Sequence, residues 1–351
     1  MRMSERTIKR LLVIRFSAMG DAAMTVPVLY ALATQHSDLR ITMLTRNRFL
    51  PLFEWLPANV QVKGVDFAEQ DGIIGLTKMY NQLREGHFDA VADLHDVLRS
   101  KYLRTCFALA GTQVAVIDKG RKDKKALIGN GQGHEALKPM MERYADVFRT
   151  LGLSIELSQP MRLDLRQENF ANVRNIVGKK QPGDLWVGVA PFAAHPQKIY
   201  PLERMQQVVN MLADKGYKVI LFGAGKTEAD ILAAWEREYE GKGCVKNICE
   251  QMGGLKQELL LMSQLDWMIS MDSANMHMAA MLGTKVLSIW GATHPKAGFS
   301  GYGQTPDSEL QLDLPCRPCS IYGKKPCAFG DLRCMDIAPE TIVKEIENQE
   351  D

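Results

Sequence analysis

Within the 351 residues of this chain, no uninterrupted apolar run approaches the roughly 20 residues that a membrane-spanning helix needs; Arg15, Asp93 and Asp272 break the longest candidates. The chain also lacks Pro- or Ser-rich tracts and low-complexity segments. With 46% apolar and 24% charged residues it is compositionally globular rather than disordered. It has little charge of one sign. A formal net charge of +2 gives no bulk attraction for nucleic acid, so any anionic partner must be met locally. The basic first ten residues lead into an apolar stretch, residues 11–16, that is too short for a signal-peptide core and has no small-residue cleavage site. A cytoplasmic location is therefore expected.

The length allows two cores of ordinary size, because single domains usually stop growing below it. In the first half, short β-branched or apolar runs at residues 11–16, 41–45, 60–65, 88–94 and 114–117 read as strands. Amphipathic stretches at 21–34, 73–84 and 134–151 read as helices. After a polar stretch, 166–184, the alternation restarts with strands at 185–190, 218–222, 267–271 and 286–290. A helix over 202–215 starts after Pro201 and stops at Gly216. The pattern predicts an α/β protein of two Rossmann-like, doubly wound parallel-sheet domains, residues 1–170 and 171–351, facing a cleft at the carboxyl ends of the strands.

Four stretches carry the chemistry. The first strand runs into Ser17-Ala18-Met19-Gly20-Asp21, where Gly20 would allow a tight turn and Asp21 would stand at the cleft, although an Asp here can simply cap the helix. In the second half, Lys198-Ile199-Tyr200-Pro201 offers an ammonium that can reach a diphosphate, unless it is an ordinary surface lysine. Next, Gly223-Ala224-Gly225-Lys226-Thr227-Glu228 provides glycines for close backbone approach and a carboxylate for ribose hydroxyls. It is neither a Walker loop nor a complete dinucleotide fingerprint. Finally, Asp272-Ser273 ends an apolar strand and opens a helix whose free N–H groups suit a phosphate; His277 follows one turn later. A core histidine is the plainer reading of His277, and Met276, Met278 and Met281 read as core.

These stretches in this order, with Trp290-Gly291-Ala292-Thr293-His294-Pro295, resemble glycosyltransferase family nine, the ADP-heptose:lipopolysaccharide heptosyltransferases, over about residues 10–345. The resemblance implies a GT-B fold, an inverting mechanism and no metal or other cofactor. It places Asp21 as the catalytic base, Lys198 on the donor phosphate, Glu228 on the ribose, and Asp272 and His277 in the donor-sugar motif. Gly223, Gly225 and Ser273 join the donor-binding set, and Ser17 is expected on the acceptor. Departures occur at Phe192-Ala193, Tyr200, Ala274-Asn275 and His294, where the family has Gly-Ala, Trp, Gly-Pro and Asp. They are expected to line the donor site and to bear on which sugar is bound. The implied partners are an ADP-sugar and a lipopolysaccharide-type or other glycan acceptor, with a peripheral contact to an anionic membrane.

Two constellations remain. Cys316, Cys319, Cys327 and Cys334 have spacing that can suit tetrahedral zinc, but structural thiols are favoured. The run Lys119-Gly120-Arg121-Lys122-Asp123-Lys124-Lys125 reads as a basic loop on the acceptor-side domain; Lys119, Arg121, Lys122, Lys124 and Lys125 are candidates for acidic acceptor groups and the membrane face. A nicotinamide dehydrogenase is excluded because the first half lacks the glycine fingerprint. A nucleotide-sugar epimerase of the same fold, and a non-catalytic nucleotide-sugar-binding module, stay open at this point.

Overall fold

The computed structural model describes residues 7–70, 72–129, 135–157 and 161–348. The chain divides into two compact units, Met1–Lys119 with Met140–Leu163, and Gly120–Pro139 with Asp164–Asp351. A single crossing near residue 170 was expected; instead the chain visits the second unit briefly at 120–139 before settling there. Backbone bonds from Leu137 N–H to Lys296 O, 2.8 Å, and from Gly129 N–H to Pro318 O, 2.9 Å, tie that excursion down.

The first unit is a five-stranded parallel sheet in the order β3-β2-β1-β4-β5. Its strands are β1 (Arg10–Ile14), β2 (Arg40–Arg46), β3 (Val60–Val65), β4 (Ala90–Asp93) and β5 (Gln113–Val116). Leu11, Leu12, Val13 and Ile14 are all fully buried, as a central parallel strand covered on both faces requires. The expected helix at 21–34 is two helices, α1 (Met19–Ala23) and α2 (Thr25–Gln35). Pro27 has no N–H to give the Ala23 carbonyl, which interrupts the ladder between them. The others are α3 (Gly72–Arg84), α4 (Leu98–Leu109) and α6 (Met140–Thr150). Helix α6 begins just after Pro139 rather than at 134, a position outside the described residues.

The excursion holds α5 (Arg121–Leu127), so the basic run from Arg121 on is a helix of the second unit, while Lys119 stays with the first. The second unit continues with α7 (Ala171–Val177), β6 (Trp186–Ala190), α8 (Leu202–Asp214), β7 (Lys218–Leu221), α9 (Lys226–Arg237), β8 (Val245–Asn247), α10 (Leu255–Met262), β9 (Trp267–Met271), α11 (Ala274–Met281), β10 (Lys285–Trp290), β11 (Glu309–Gln311) and α12 (Pro339–Asn348). Its sheet is parallel throughout, in the order β11-β10-β9-β6-β7-β8. Met276, Met278 and Met281 are buried, as core methionines should be. Two such units make the α/β, GT-B-type architecture.

Candidate active site

Each sheet is wound outward from its first strand in two directions. The order reverses between β1 and β4 in the first unit and between β6 and β9 in the second. Loops diverge at such switch points, and the crevice left beyond the carboxyl ends of the two strands is where doubly wound folds bind ligands.

At the first switch point Arg15 follows β1 and is buried. Its Nη2 pairs with Asp21 Oδ2 at 2.7 Å and its Nη1 donates to Leu94 O at 2.6 Å. The Tyr144 ring lies 5.6 Å from the guanidinium. Burial alone would lower the Arg15 pKa, but the charges of Tyr144 and Asp21 outweigh it and the guanidinium is raised. Asp21 Oδ2 also accepts Ala18 N–H at 3.2 Å, so the carboxylate does cap α1. Both bonds fall on Oδ2. Oδ1 takes neither, and the side chain is 27% exposed. Gly20 lies inside α1, so the tight turn expected of it belongs to the preceding residues.

Opposite stands His95, which the sequence reading missed. Its Nδ1 accepts Phe16 N–H at 3.3 Å, so Nε2 carries the proton and points it at Ser17 Oγ, 3.2 Å away. Burial, helped by the charges of Arg15 and Lys119, lowers the imidazole to about 3, which keeps it neutral near pH 7. The turn that presents it is held by Asp93, whose Oδ1 accepts the N–H groups of His95 and Asp96 at 2.9 Å each. Arg104 secures Asp93 Oδ2 at 2.7 Å. Lys119 Nζ donates to Asp96 O at 3.3 Å, beside this turn. The cue in the sequence was Asp93-x-His95 at a strand end, but nothing local says that β4 lies next to β1.

At the second switch point, Lys198 follows β6 and Asp272 follows β9. The ammonium meets Asp272 Oδ2 at 2.6 Å and Asp272 O at 3.2 Å, with side-chain exposures of only 15% and 8%. Lys198 is therefore no ordinary surface lysine. Gly323, at φ +72°, leaves room for its stem: a Cβ there would stand 2.7 Å from Lys198 Cγ. Ser273 caps no N–H of α11; its Oγ lies 3.1 Å from Ser270 Oγ. His277 is buried in the first turns of that helix, among the methionines.

Along the same edge, Glu228 Oε2 accepts Ala224 N–H at 2.8 Å and closes the loop before α9. Gly225 takes φ +80° there, while a Cβ on Gly223 would stand 2.9 Å from Leu232 Cδ1, so Gly223 also serves helix packing. Of the departures expected to line the donor site, Tyr200 does not. It is fully buried and its hydroxyl donates to Ile337 O at 2.6 Å, which anchors the approach to α12. His294 is held at about 4 by burial, then by the charges of Arg317 and Lys296, and its Nδ1 accepts Lys296 N–H at 3.1 Å.

Arg317 is a second residue that sequence reasoning missed. Buried between Cys316 and Cys319, it donates to Gly291 O at 2.6 Å, to Thr293 O at 2.8 Å and to Leu312 O. Cys319 N–H reaches Ala292 O at 3.1 Å. The cysteine-rich segment thus braces the loop after β10. Its thiols are free, and burial raises Cys319 and pushes Cys334 up to about 11. Of the basic run, Arg121, Lys122 and Lys125 are exposed on α5, but Lys124 is buried with Nζ 4.3 Å from the Phe299 ring centre.

The family model for glycosyltransferase family 9 (heptosyltransferase) matches residues 76–326, more than half of the chain. The chain belongs to this family. Among curated relatives it is 23% identical over 283 residues to lipopolysaccharide heptosyltransferase 3 of Escherichia coli K12, covering 78% of this chain and 80% of that protein. Among solved structures it resembles the glycosyltransferase family 9 protein from Veillonella parvula, with a TM-score of 0.75 at 18% identity over 99% and 98% of the two chains. It also resembles the E. coli ADP-heptose lipopolysaccharide heptosyltransferase II, with a TM-score of 0.70 at 20% identity over 97% and 99%. The structural likenesses speak for the fold; the family match makes the chain a glycosyltransferase.

Proposed function

We propose that this glycosyltransferase moves a heptose from ADP-heptose to a lipopolysaccharide inner-core acceptor, in one inverting displacement. The observation that carries the reading is the Lys198–Asp272 pair at the switch point of the second sheet, inside the residues that match the family. Asp21 Oδ1 takes the proton of the acceptor hydroxyl as that oxygen attacks the anomeric carbon, and ADP departs from the opposite face. Charge grows on the diphosphate as it leaves. Lys198 and the free N–H groups opening α11 stabilise it there, where fixed donors lower the barrier most. Asp272 and Glu228 accept donor hydroxyls, Gly223 and Gly225 allow the backbone to approach, and Ser273 and His277 complete the donor side.

Ser17, oriented by His95, and Lys119 bind the acceptor on the first unit. The exposed Arg121, Lys122 and Lys125 take its acidic groups; Lys124 is withdrawn from that role by its burial. A lipid-linked acceptor brings with it a peripheral contact to an anionic membrane, and among the described residues no helix is long and apolar enough to cross one. The test is ADP release by the purified chain from ADP-heptose, with and without a lipid acceptor, against UDP- and GDP-sugars. Transfer only with both substrates supports the reading. Donor conversion without acceptor would instead favour an epimerase, and donor binding without turnover a non-catalytic module.

A further inference from the structure

Exposed aliphatic side chains normally scatter singly over a surface. Here, three of the four most exposed large apolar side chains among the described residues gather at one place: Ile73 (72%), Ile74 (75%) and Leu98 (86%). Helices α3 and α4 both follow parallel strands, so both start at the carboxyl edge of the first sheet. They are joined by Thr77 Oγ1 and Tyr102 OH at 2.6 Å. Ile73 and Leu98 lie one turn nearer the N-terminus of each helix, which sets the two apolar first turns side by side.

Arginines border them. The Arg99 guanidinium, next to Leu98, stands 4.5 Å from the Phe67 ring centre, and that of Arg46 stands 5.6 Å from the same ring. Arg48 is exposed nearby; after burial, the charges of Arg48 and Arg99 are what lower Arg46, so both lie within reach of it. Against them are Asp66, near Arg46, and the exposed Glu69, while Asp96 is bound by Arg104 at 3.0 Å. Phe67 packs edge-on to Phe16 at 4.9 Å, which ties the patch to the strand end that bears Ser17.

We propose that this face rests on an anionic lipid bilayer, with Ile73, Ile74 and Leu98 entering the boundary between headgroups and chains and Arg46, Arg48 and Arg99 meeting lipid phosphates. Aliphatics to insert, with cations placed to meet a negative surface, are what interfacial anchors require, and neither alone holds a protein well. The inference deepens the proposed function by naming the surface that brings the enzyme to a lipid-linked acceptor, and it rests on that reading for its purpose only.

Sedimentation of the full chain with vesicles, without donor or acceptor, tests it. Vesicles of phosphatidylglycerol and phosphatidylethanolamine should retain the protein at least about tenfold better than phosphatidylcholine alone, and high salt should erase most of the difference. Replacing Ile73, Ile74 and Leu98 together by Ser should weaken that binding at least about tenfold while circular dichroism and urea unfolding show the first unit still folded. Arg48→Gln should weaken it a few-fold and flatten its salt dependence. Parent protein that ignores anionic vesicles, or a triple variant that sediments like the parent, overturns the proposal. So does a face whose Ser variant loses self-association in sedimentation velocity but not lipid binding. Vesicle binding without heptose transfer would sink the proposed function and leave this face standing; transfer without vesicle binding would do the reverse.

Discussion

At the switch point of the first sheet a neutral imidazole meets a hydroxyl, His95 to Ser17 at 3.2 Å, while at that of the second an ammonium meets a carboxylate, Lys198 to Asp272 at 2.6 Å. The scaffold is the same and the chemistry differs. A neutral pair orients a hydroxyl without adding charge, on the same strand end as Asp21, whose ion pair and cap bond both fall on Oδ2. A charged pair stores two groups for a ligand that needs both: a diphosphate can take the ammonium while hydroxyls take the carboxylate. Under the proposed function, the first switch point handles a proton and the second holds an anion. Four experiments can break or sharpen that contrast.

The largest effect should come from Asp21→Asn. Losing a general base lowers turnover by at least about a hundredfold, with ADP affinity nearly unchanged. Steady-state kinetics alongside calorimetry decide it; a variant of near-normal turnover would reduce Asp21 to the cap it also is.

Acid should separate the two switch points next. The unfolded chain protonates His95 near the ordinary imidazole value of 6.5, whereas the folded chain holds it neutral down to about 3. Between those values the unfolded state binds more protons, so the contribution is present above pH 6.5 and is lost as pH falls; at pH 5 the loss is about 2 kcal/mol. His294, held at about 4, adds a similar loss over a slightly narrower window. Urea unfolding at pH 7 and pH 5 measures the sum. His95→Gln should remove about half of the difference, and an unchanged pH dependence would mean that the imidazole is not held neutral.

Lys198→Ala should weaken ADP about tenfold, the loss of one charge-assisted bond to phosphate. It also strands the nearly buried Asp272, at about 3 kcal/mol of stability. Combining it with Asp272→Asn should recover much of the stability but none of the ADP affinity. If affinity returns as well, Lys198 acts only through its partner.

The smallest effect tests α5. Replacing Arg121, Lys122 and Lys125 by Gln should raise the acceptor's Michaelis constant a few-fold and flatten its salt dependence, with ADP binding as before. Lys124→Gln should leave acceptor kinetics alone and cost about 1–2 kcal/mol of stability through the lost contact with Phe299. Identical behaviour at low and high salt would remove α5 from acceptor binding.

Much of this protein was legible in one dimension. The strand–turn–helix joints that carry Asp21, Lys198, Glu228 and Asp272 are local signals, because a β-branched apolar run followed by small polar residues and a 3.6-residue period fixes where each strand ends and its side chains emerge. Strand and helix alternation gave the parallel, doubly wound class for the same reason. The short edge strands β8 and β11 passed unseen, since three residues carry too little periodicity to stand out.

What the sequence could not decide was adjacency. His95 belongs beside Ser17 only because β4 hydrogen-bonds to β1 across 79 residues of chain, and Lys198 pairs with Asp272 only because β9 lies next to β6. Nothing local in the sequence marks Arg317; its three bonds to backbone carbonyls exist only in the folded chain. The basic run at 119–125 has a composition that suits a solvated loop. Tertiary packing made most of it a helix of the other unit and buried Lys124 against Phe299, because ring contact and backbone pairing with residues far along the chain outweigh local charge. Periodicity and turn chemistry act over a few residues and determine the elements; strand order and burial are collective, and they alone determine which of those elements' side chains meet.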